Sequence, residues 1–286
     1  MFPLEWRYPP MLLAERDRVA AHGTLRERIR FDLEGRPPYA WGLLTAADAA
    51  KFFGFNQITA IEFGVAEGAG LLELCRLASL VTEEAGVSIR VVGFDNGIGL
   101  PPPLGFRDHP EIWTEGDFAM GDAEALRAHL PANGELILGD IAQTLPAFLA
   151  SCPADAPIAF CSFDLDMHTA TVAALSVYLG SAELCLPVGV AYFDDTLGGA
   201  KSFGSLCRNA KAGQLNAIET FNRTHALRVI DPIRTLRYRR PLRDEQWLEQ
   251  VYGVHMLDHP ARTLQRRSEA LTMGQHGQAP WLEWPA

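Results

Sequence analysis

Short apolar runs alternate with longer helical patterns through the middle of the chain, from residue 58 to residue 195. The runs predict strands at 58–63, 89–94, 135–138, 157–163 and 188–193, and the patterns between them predict helices at 70–84, 122–130, 143–150 and 169–179. Strands and helices that alternate in this way are typical of βαβ units and a parallel sheet. The pattern therefore predicts an α/β fold.

The segments on either side predict further elements. Helices are expected at 11–22 and 39–53, followed beyond the central region by a helix at 215–225 and strands at 226–231 and 250–257. This predicts an N-terminal helical cap (1–57), an α/β domain (58–265) and a C-terminal tail (266–286). Two long connections, 96–120 and 196–205, are expected to act as a binding loop and a flap, because long loops in compact domains usually serve a function.

Composition and charge narrow the classes of partner. The chain has 286 residues, of which 48% are hydrophobic, and a net charge of -10. The acidic balance argues against nucleic acid, because phosphate binding needs a basic surface. No apolar stretch predicts a membrane span or a signal peptide. Five cysteines without a C-x-x-C pair suit reduced thiols in a cytoplasmic protein, and a homo-oligomer is compatible with the sequence.

A glycine-rich turn follows the first predicted strand. An apolar strand runs directly into three glycines and then into an amphipathic helix, so that backbone can approach a ligand at a helix N-terminus. The residues expected to meet the ligand are Glu62, Phe63, Gly64, Val65, Gly68 and Gly70. A tight turn without a ligand is the alternative. The spacing is not G-x-G-x-x-G, and none of the six tyrosines is followed four residues later by the lysine that short-chain nicotinamide enzymes need.

With Glu62 included, the turn resembles the first motif of class I S-adenosylmethionine-dependent methyltransferases. The resemblance implies a Rossmann-like fold: a mostly parallel seven-stranded sheet with helices on both faces. It also implies that the glycine turn passes beneath the methionine part of the cofactor. Asp95, at the end of the second strand, would accept hydrogen bonds from the ribose hydroxyls. Asp140 and Ile141, after the third strand, would lie near the adenine, although Asp140 is also suited to cap the next helix.

Four carboxylates follow the fourth and fifth predicted strands. Asp164 and Asp166 come after one strand, and Asp194 and Asp195 after the other. Neighbouring parallel strands end at the same edge of a sheet, so these acids would repel one another unless a cation lay between them. Carboxylate oxygens suit a hard divalent ion such as Mg²⁺. The alternative is that some of them are helix caps or hydrogen-bonded loop acids.

This acidic arrangement resembles a metal-dependent branch of the same superfamily, which includes catechol O-methyltransferase and the macrocin O-methyltransferase family. Residues 163–171 match both acids and the final threonine of a pattern close to I-D-G-D-L-Y-x-S-T. They depart from it at His168 and Ala170. The resemblance implies Mg²⁺ held by an acid after the fourth strand, either Asp164 or Asp166, and by the pair Asp194 and Asp195. It also implies O-methylation of a small hydroxylated molecule such as a sugar or natural product.

The sequence does not decide which residue is the general base, and it allows two other functions. Either His168 or Asp164 could take the proton of the acceptor hydroxyl. Asp164-Leu165-Asp166 also fits the D-x-D motif of metal-dependent glycosyltransferases, but that alternative leaves the glycine turn unexplained. A non-catalytic cofactor-binding protein is the third possibility.

Overall fold

The computed structural model describes residues 3–197 and 206–264. Its centre is a seven-stranded sheet in the order β3-β2-β1-β4-β5-β7-β6. The strands are β1 (Gln57–Phe63), β2 (Ser88–Asp95), β3 (Gly134–Leu138), β4 (Ile158–Phe163), β5 (Cys185–Phe193), β6 (Arg228–Pro232) and β7 (Val251–Met256). Pairs among β1 to β5 are parallel, whereas β7 is antiparallel to both β5 and β6. The predicted fold class is confirmed.

The helices of the described residues agree with most of the predictions. They are α1 (Leu4–Arg7), α2 (Pro10–His22), α3 (Leu25–Arg30), α4 (Pro37–Phe53), α5 (Ala69–Ala85), α6 (Ala123–His129), α7 (Ile141–Ser151), α8 (His168–Leu175), α9 (Gly213–Thr224) and α10 (Ala261–Leu264). Helix α3 was not predicted, although a capping box of Thr24 and Glu27 begins it. Helix α8 ends earlier than expected, because Ser176–Tyr178 continues as a 3₁₀ turn.

Two apolar cores cover the two faces of the sheet. On one face, α4 and α5 pack on the strands through fully buried side chains such as Tyr39, Leu43 and Leu74. The other face carries a stack of phenylalanines, with ring centroids 5.1 Å apart for Phe63 and Phe163 and 4.5 Å apart for Phe163 and Phe193. Stacked aromatic pairs add to the energy of burial. These rings hold the carboxyl ends of β1, β4 and β5 together.

Helix α4 belongs to the main core although it lies within the predicted N-terminal cap. Pro37 and Pro38 occupy its first positions, and Gly54 ends it in a left-handed conformation. It packs against β4, β5 and α5. The boundary placed at residue 57 therefore stays a prediction, as do the other domain limits.

Two predicted segments fall largely outside the described residues. Only residues 196 and 197 of the flap at 196–205 are described, and the tail at 266–286 is not. Across the described ranges, no helix combines the length and the apolar character that crossing a membrane requires.

Candidate functional site

A cleft of about 940 Å³ opens at the carboxyl edge of the sheet. The chain runs outward from β1 to β3 and then returns to β4 beside β1, so the cleft lies where the strand order reverses, as ligand sites of open α/β sheets do. Most predicted site residues line it: Glu62, Gly64, Val65, Gly70, Asp95, Asp140, Ile141, Asp164, Asp166, Asp194 and Asp195. Phe63, Gly68 and His168 are not among the lining residues.

The glycine turn is shaped by close approach as well as by backbone freedom. Gly64 has a φ of +86°, and a Cβ atom there would lie 1.8 Å from the carbonyl oxygen of Asp164. A Cβ atom on Gly70 would lie 2.1 Å from Oε1 of Glu62. Gly68, with a φ of +88°, precedes α5 and lies against Leu126. Gly64 is therefore required by the close approach of the Asp164 backbone, and Gly68 by its left-handed conformation, whereas at Gly70 the atoms in the way belong to the end of the Glu62 side chain.

Two residues predicted to meet the ligand do not line the cleft, and their contact with a cofactor stays a prediction. The ring of Phe63 is fully buried in the phenylalanine stack, so its side chain cannot reach a ligand in the cleft. The reason is strand alternation, which points Glu62 and Phe63 to opposite faces of the sheet. Gly68 supports the turn from behind, through its left-handed backbone, and does not form the cleft wall.

The Asp95 carboxylate closes the glycine turn. Its Oδ2 accepts hydrogen bonds from the backbone N–H groups of Val65 at 2.8 Å and Ala66 at 2.9 Å, and its Oδ1 accepts one from Gly97 at 2.7 Å. An ionised carboxylate offers about four acceptor positions. Asp95 therefore fixes the loop itself and keeps about one position for a ribose hydroxyl, so its ribose role stays a prediction.

Asp140 caps a helix at the far end of the cleft. Its side chain accepts a hydrogen bond from the backbone N–H of Ala142 at 2.9 Å, at the first turn of α7. This is the alternative role that the sequence allowed. Ile141, the first residue of α7, is buried beside it in the cleft wall. The expected contact of these two residues with adenine stays a prediction.

Glu62 lies in a buried polar network that sequence reasoning missed. The Tyr39 hydroxyl donates to Oε1 of Glu62 at 2.6 Å and accepts from the Ser162 hydroxyl at 2.8 Å and from Nη1 of Arg36 at 3.3 Å. Within the described residues, Oε2 of Glu62 has no hydrogen-bond partner, although Glu62 is only 1% exposed. Burial raises the pKa of Glu62 to about 7, and Tyr39 and Arg36 oppose that rise. No pattern in the sequence connects residues so far apart.

The four predicted metal acids gather at the opposite wall of the cleft. Burial, with Asp194 and Asp195 close by, raises the pKa of Asp164 well above its ordinary value. Burial and the neighbouring carboxylates raise the pKa of Asp166 to about 9. Asp194 accepts a hydrogen bond from the Tyr192 hydroxyl. The expected repulsion between these carboxylates is therefore present.

The expected metal centre is not formed by the described residues. No three His, Cys, Asp or Glu side chains in those ranges converge to hold an ion. Arg208 occupies part of the expected metal site. Its Nη2 lies 3.0 Å from Oδ1 of Asp195, and its Nη1 donates to the Asp195 carbonyl oxygen at 2.6 Å. The other carboxylate oxygen, Oδ2, accepts the backbone N–H of Asp166 at 2.9 Å. The oxygen donors have the right chemistry for Mg²⁺, but this arrangement does not fit one.

His168 lies apart from the cleft. It is the first residue of α8, it is 9% exposed, and burial lowers the pKa of its imidazole. Beside it, Asp108 accepts the backbone N–H of Thr169 at 2.9 Å and so joins the long loop to α8. Of the two predicted bases, only Asp164 lines the cleft.

The long loop at 96–120 forms an apolar wall of the cleft. Ile98, Leu100 and Pro101 line it together with Trp113 and Phe118, whose rings meet edge to face with centroids 6.1 Å apart. The guanidinium carbon of Arg208 lies 5.7 Å from the centre of the Trp113 ring. The loop and the acids therefore enclose one volume.

Neither a protein-family model nor a curated protein sequence matches the chain. Solved structures are similar at low sequence identity. The O-methyltransferase NovP is 12% identical with a TM-score of 0.50, over 77% of this chain and 79% of that one. CalS11, a calicheamicin methyltransferase, is 20% identical with a TM-score of 0.47, over 74% of this chain and 77% of that one. The similarity to NovP shows that the chain has the fold of this O-methyltransferase, as the resemblance of the glycine turn implied.

Proposed function

We propose that the protein is an S-adenosylmethionine-dependent O-methyltransferase that acts on a small hydroxylated molecule. The observation that carries the proposal is the glycine turn between β1 and α5, which faces a large cleft with the buried acid Glu62 on one side and the acids of β4 and β5 on the other. The fold shared with NovP supports it.

The chemistry of the turn suits this cofactor. Oε2 of Glu62, which has no hydrogen-bond partner among the described residues, provides a buried acceptor beside Gly70, whose backbone carries no side chain. S-adenosylmethionine, when bound, supplies a methyl group on a positively charged sulfur, which an acceptor oxygen can attack. The acidic lining of the cleft favours a ligand of positive charge.

On the acceptor side, Asp164 is the proposed proton acceptor. It lines the cleft, and its carbonyl oxygen touches Gly64 of the turn, which places it next to both ligands. A general base works best when its pKa lies near the operating pH, which is above the ordinary pKa of an aspartate. Burial and the neighbouring acids raise the pKa of Asp164 in that direction.

The magnesium requirement implied by the sequence stays a prediction. The acids do not converge as ligands while Arg208 is bound to Asp195, so we derive no step from a metal ion. The apolar wall formed by Trp113 and Phe118 supports an acceptor that presents its hydroxyl from an apolar or ring-shaped body.

Calorimetric titration with S-adenosylhomocysteine tests the proposal. We expect a dissociation constant in the micromolar range, which corresponds to about -8 kcal/mol. An absence of binding at millimolar ligand would overturn the proposal. UDP-sugar with Mn²⁺ is the control ligand, since thermal stabilisation by this pair alone would favour the glycosyltransferase alternative.

A further inference from the structure

Arg208 is fixed by three contacts at the acid wall, the side of the cleft that carries the four predicted metal acids. Two of its nitrogens contact Asp195, at 3.0 Å from Oδ1 and at 2.6 Å from the carbonyl oxygen. Its guanidinium carbon lies 5.7 Å from the centre of the Trp113 ring, within the range of a cation–π contact. The side chain is 10% exposed, and Arg208 lines the cleft. The chain therefore places a buried positive charge of its own among these acids.

Each polar group of Asp195 is engaged within the protein. Oδ1 and the carbonyl oxygen accept from Arg208, and Oδ2 accepts the backbone N–H of Asp166 at 2.9 Å. The backbone N–H of Asp195 donates to Oε1 of Gln214 at 2.9 Å. Nε2 of Gln214 in turn donates to the carbonyl oxygen of Phe163 at 3.0 Å, at the end of β4. The carboxylate that binds Arg208 is thus held in place from both neighbouring strands.

A divalent ion at this wall would have to share Asp195 with the guanidinium. Two positive charges beside one carboxylate repel each other, and the repulsion is stronger in a buried site than in water. The neighbouring Asp194 is engaged as well, since its carboxylate accepts from the Tyr192 hydroxyl and its carbonyl oxygen accepts from the Gln250 side chain. The acid wall is therefore arranged around a guanidinium.

We propose that Arg208 takes the place of a divalent ion on the acid wall, so that the acceptor meets a guanidinium there and not a metal. The inference rests on the proposed function, and it differs from the magnesium site that the resemblance implied. A guanidinium keeps its charge at any ordinary pH and orients an oxygen through directed N–H groups. It does not act as a Lewis acid, so removal of the acceptor proton depends on the proposed base, Asp164.

Titration with Mn²⁺ tests the inference, because Mn²⁺ takes the same oxygen ligands as Mg²⁺. Electron paramagnetic resonance of free Mn²⁺ measures the bound fraction without an acceptor. We expect the wild type to have no Mn²⁺ site that fills below millimolar concentration. Arg208→Gln removes the competing charge and should bind Mn²⁺ about tenfold to a hundredfold more tightly than the wild type.

Three comparisons locate the gain in affinity. Arg208→Lys keeps the positive charge, so its Mn²⁺ binding should match that of the wild type. Adding Asp195→Asn to Arg208→Gln should abolish the gain, because the freed carboxylate is then absent. Arg90→Gln is the matched control: it removes an arginine from an exposed pair with Glu135, away from the cleft, and should leave Mn²⁺ binding unchanged.

The outcomes separate this inference from the proposed function. Micromolar Mn²⁺ binding by the wild type that Asp195→Asn abolishes would overturn the role of Arg208, and so would equal Mn²⁺ affinities of the wild type and Arg208→Gln. Were Arg208→Gln to misfold, the wild-type titration would decide alone, since a micromolar site overturns the inference and its absence supports it. Failure of the wild type to bind S-adenosylhomocysteine would overturn the proposed function instead, because the Mn²⁺ titration does not use that ligand.

Discussion

The two walls of the cleft each combine buried acids with an arginine, and they use it in opposite ways. On the glycine-turn wall, the described part of the chain provides no ion pair for Arg36, which lies near Glu62, and no hydrogen-bond partner for Oε2 of Glu62. On the opposite wall, Arg208 binds Asp195 directly at 3.0 Å. One wall keeps its charges available, whereas the other neutralises part of its charge internally.

This difference indicates which side is organised before a ligand arrives. The glycine turn is fixed by Asp95 and by close packing, so the geometry for a cofactor exists already. On the acid wall, a metal ion would have to compete with Arg208 for Asp195. Preorganised contacts lower the cost of binding, and contacts that must first be broken raise it.

The largest effect is expected for the proposed base. Asp164→Asn should lower the rate of S-adenosylhomocysteine formation by about 10² to 10⁴, the usual contribution of a general base. The unfolding free energy of Asp164→Asn should not fall below that of the wild type. Burial, Asp194 and Asp195 raise the pKa of the Asp164 carboxyl, so the fold disfavours its charged form, which asparagine cannot adopt. His168→Gln is the comparison, since His168 lies outside the cleft and should turn over like the wild type. A larger loss of rate in His168→Gln than in Asp164→Asn would make His168 the base and not Asp164.

The ion pair on the acid wall should have the next largest effect. Arg208→Gln leaves Asp195 buried without its cation, which we expect to cost about 3 to 5 kcal/mol of unfolding free energy. Arg90→Gln, which breaks an exposed pair, should cost about 1 kcal/mol or less. Mg²⁺ should restore the melting temperature of Arg208→Gln more than it raises that of the wild type. An equal effect of Mg²⁺ on both proteins would contradict competition between the ion and Arg208.

The sequence predicted the framework of the site better than its contacts. Alternating patterns and the glycine turn located the strands whose ends carry Glu62, Asp95 and Asp164, because those features are local in the chain. The partners that decide the charge state of each wall are distant in sequence. Tyr39 reaches Glu62 across 23 positions and Arg208 reaches Asp195 across 13. Contacts of this kind depend on packing, and no periodicity indicates them.

The two walls of the cleft meet where the backbone of Gly64 packs against the carbonyl oxygen of Asp164, and a side chain at position 64 would disrupt this contact. A Cβ atom there would meet the Asp164 carbonyl oxygen at 1.8 Å, so Gly64→Ala should push β1 and β4 apart and cost about 3 kcal/mol by chemical denaturation. Gly54→Ala is a close control. Gly54 has a φ of +85° with nothing within 4 Å of the added atom. It should show only the cost of the left-handed backbone, about 1 kcal/mol. Equal costs would mean that the approach of the walls is not tight.

The smallest effect concerns the charge state of Glu62, whose pKa is raised from 4.5 to about 7 by burial and by Asp95, against Tyr39 and Arg36. A positively charged ligand group in the cleft would be attracted by the charged carboxylate of Glu62 and not by its neutral form. Affinity for S-adenosylhomocysteine should therefore fall by up to about tenfold for each pH unit below 7. In Glu62→Gln, affinity should be low and nearly independent of pH between 5 and 8, which calorimetry at several pH values would measure.

The raised pKa of Glu62 also affects the stability of the ligand-free protein, which should decrease as the pH rises. Folding favours the uncharged form of Glu62, so its contribution to stability is complete below pH 4.5 and is lost as the pH rises through 7. Glu62→Gln keeps the acceptor for Tyr39 but cannot ionise, so it should exceed the wild type in unfolding free energy above pH 7 by about 2 kcal/mol. A variant that binds more weakly yet folds more stably would show that the glycine-turn wall holds its charge for a ligand. Loss of both properties would make Glu62 a structural residue.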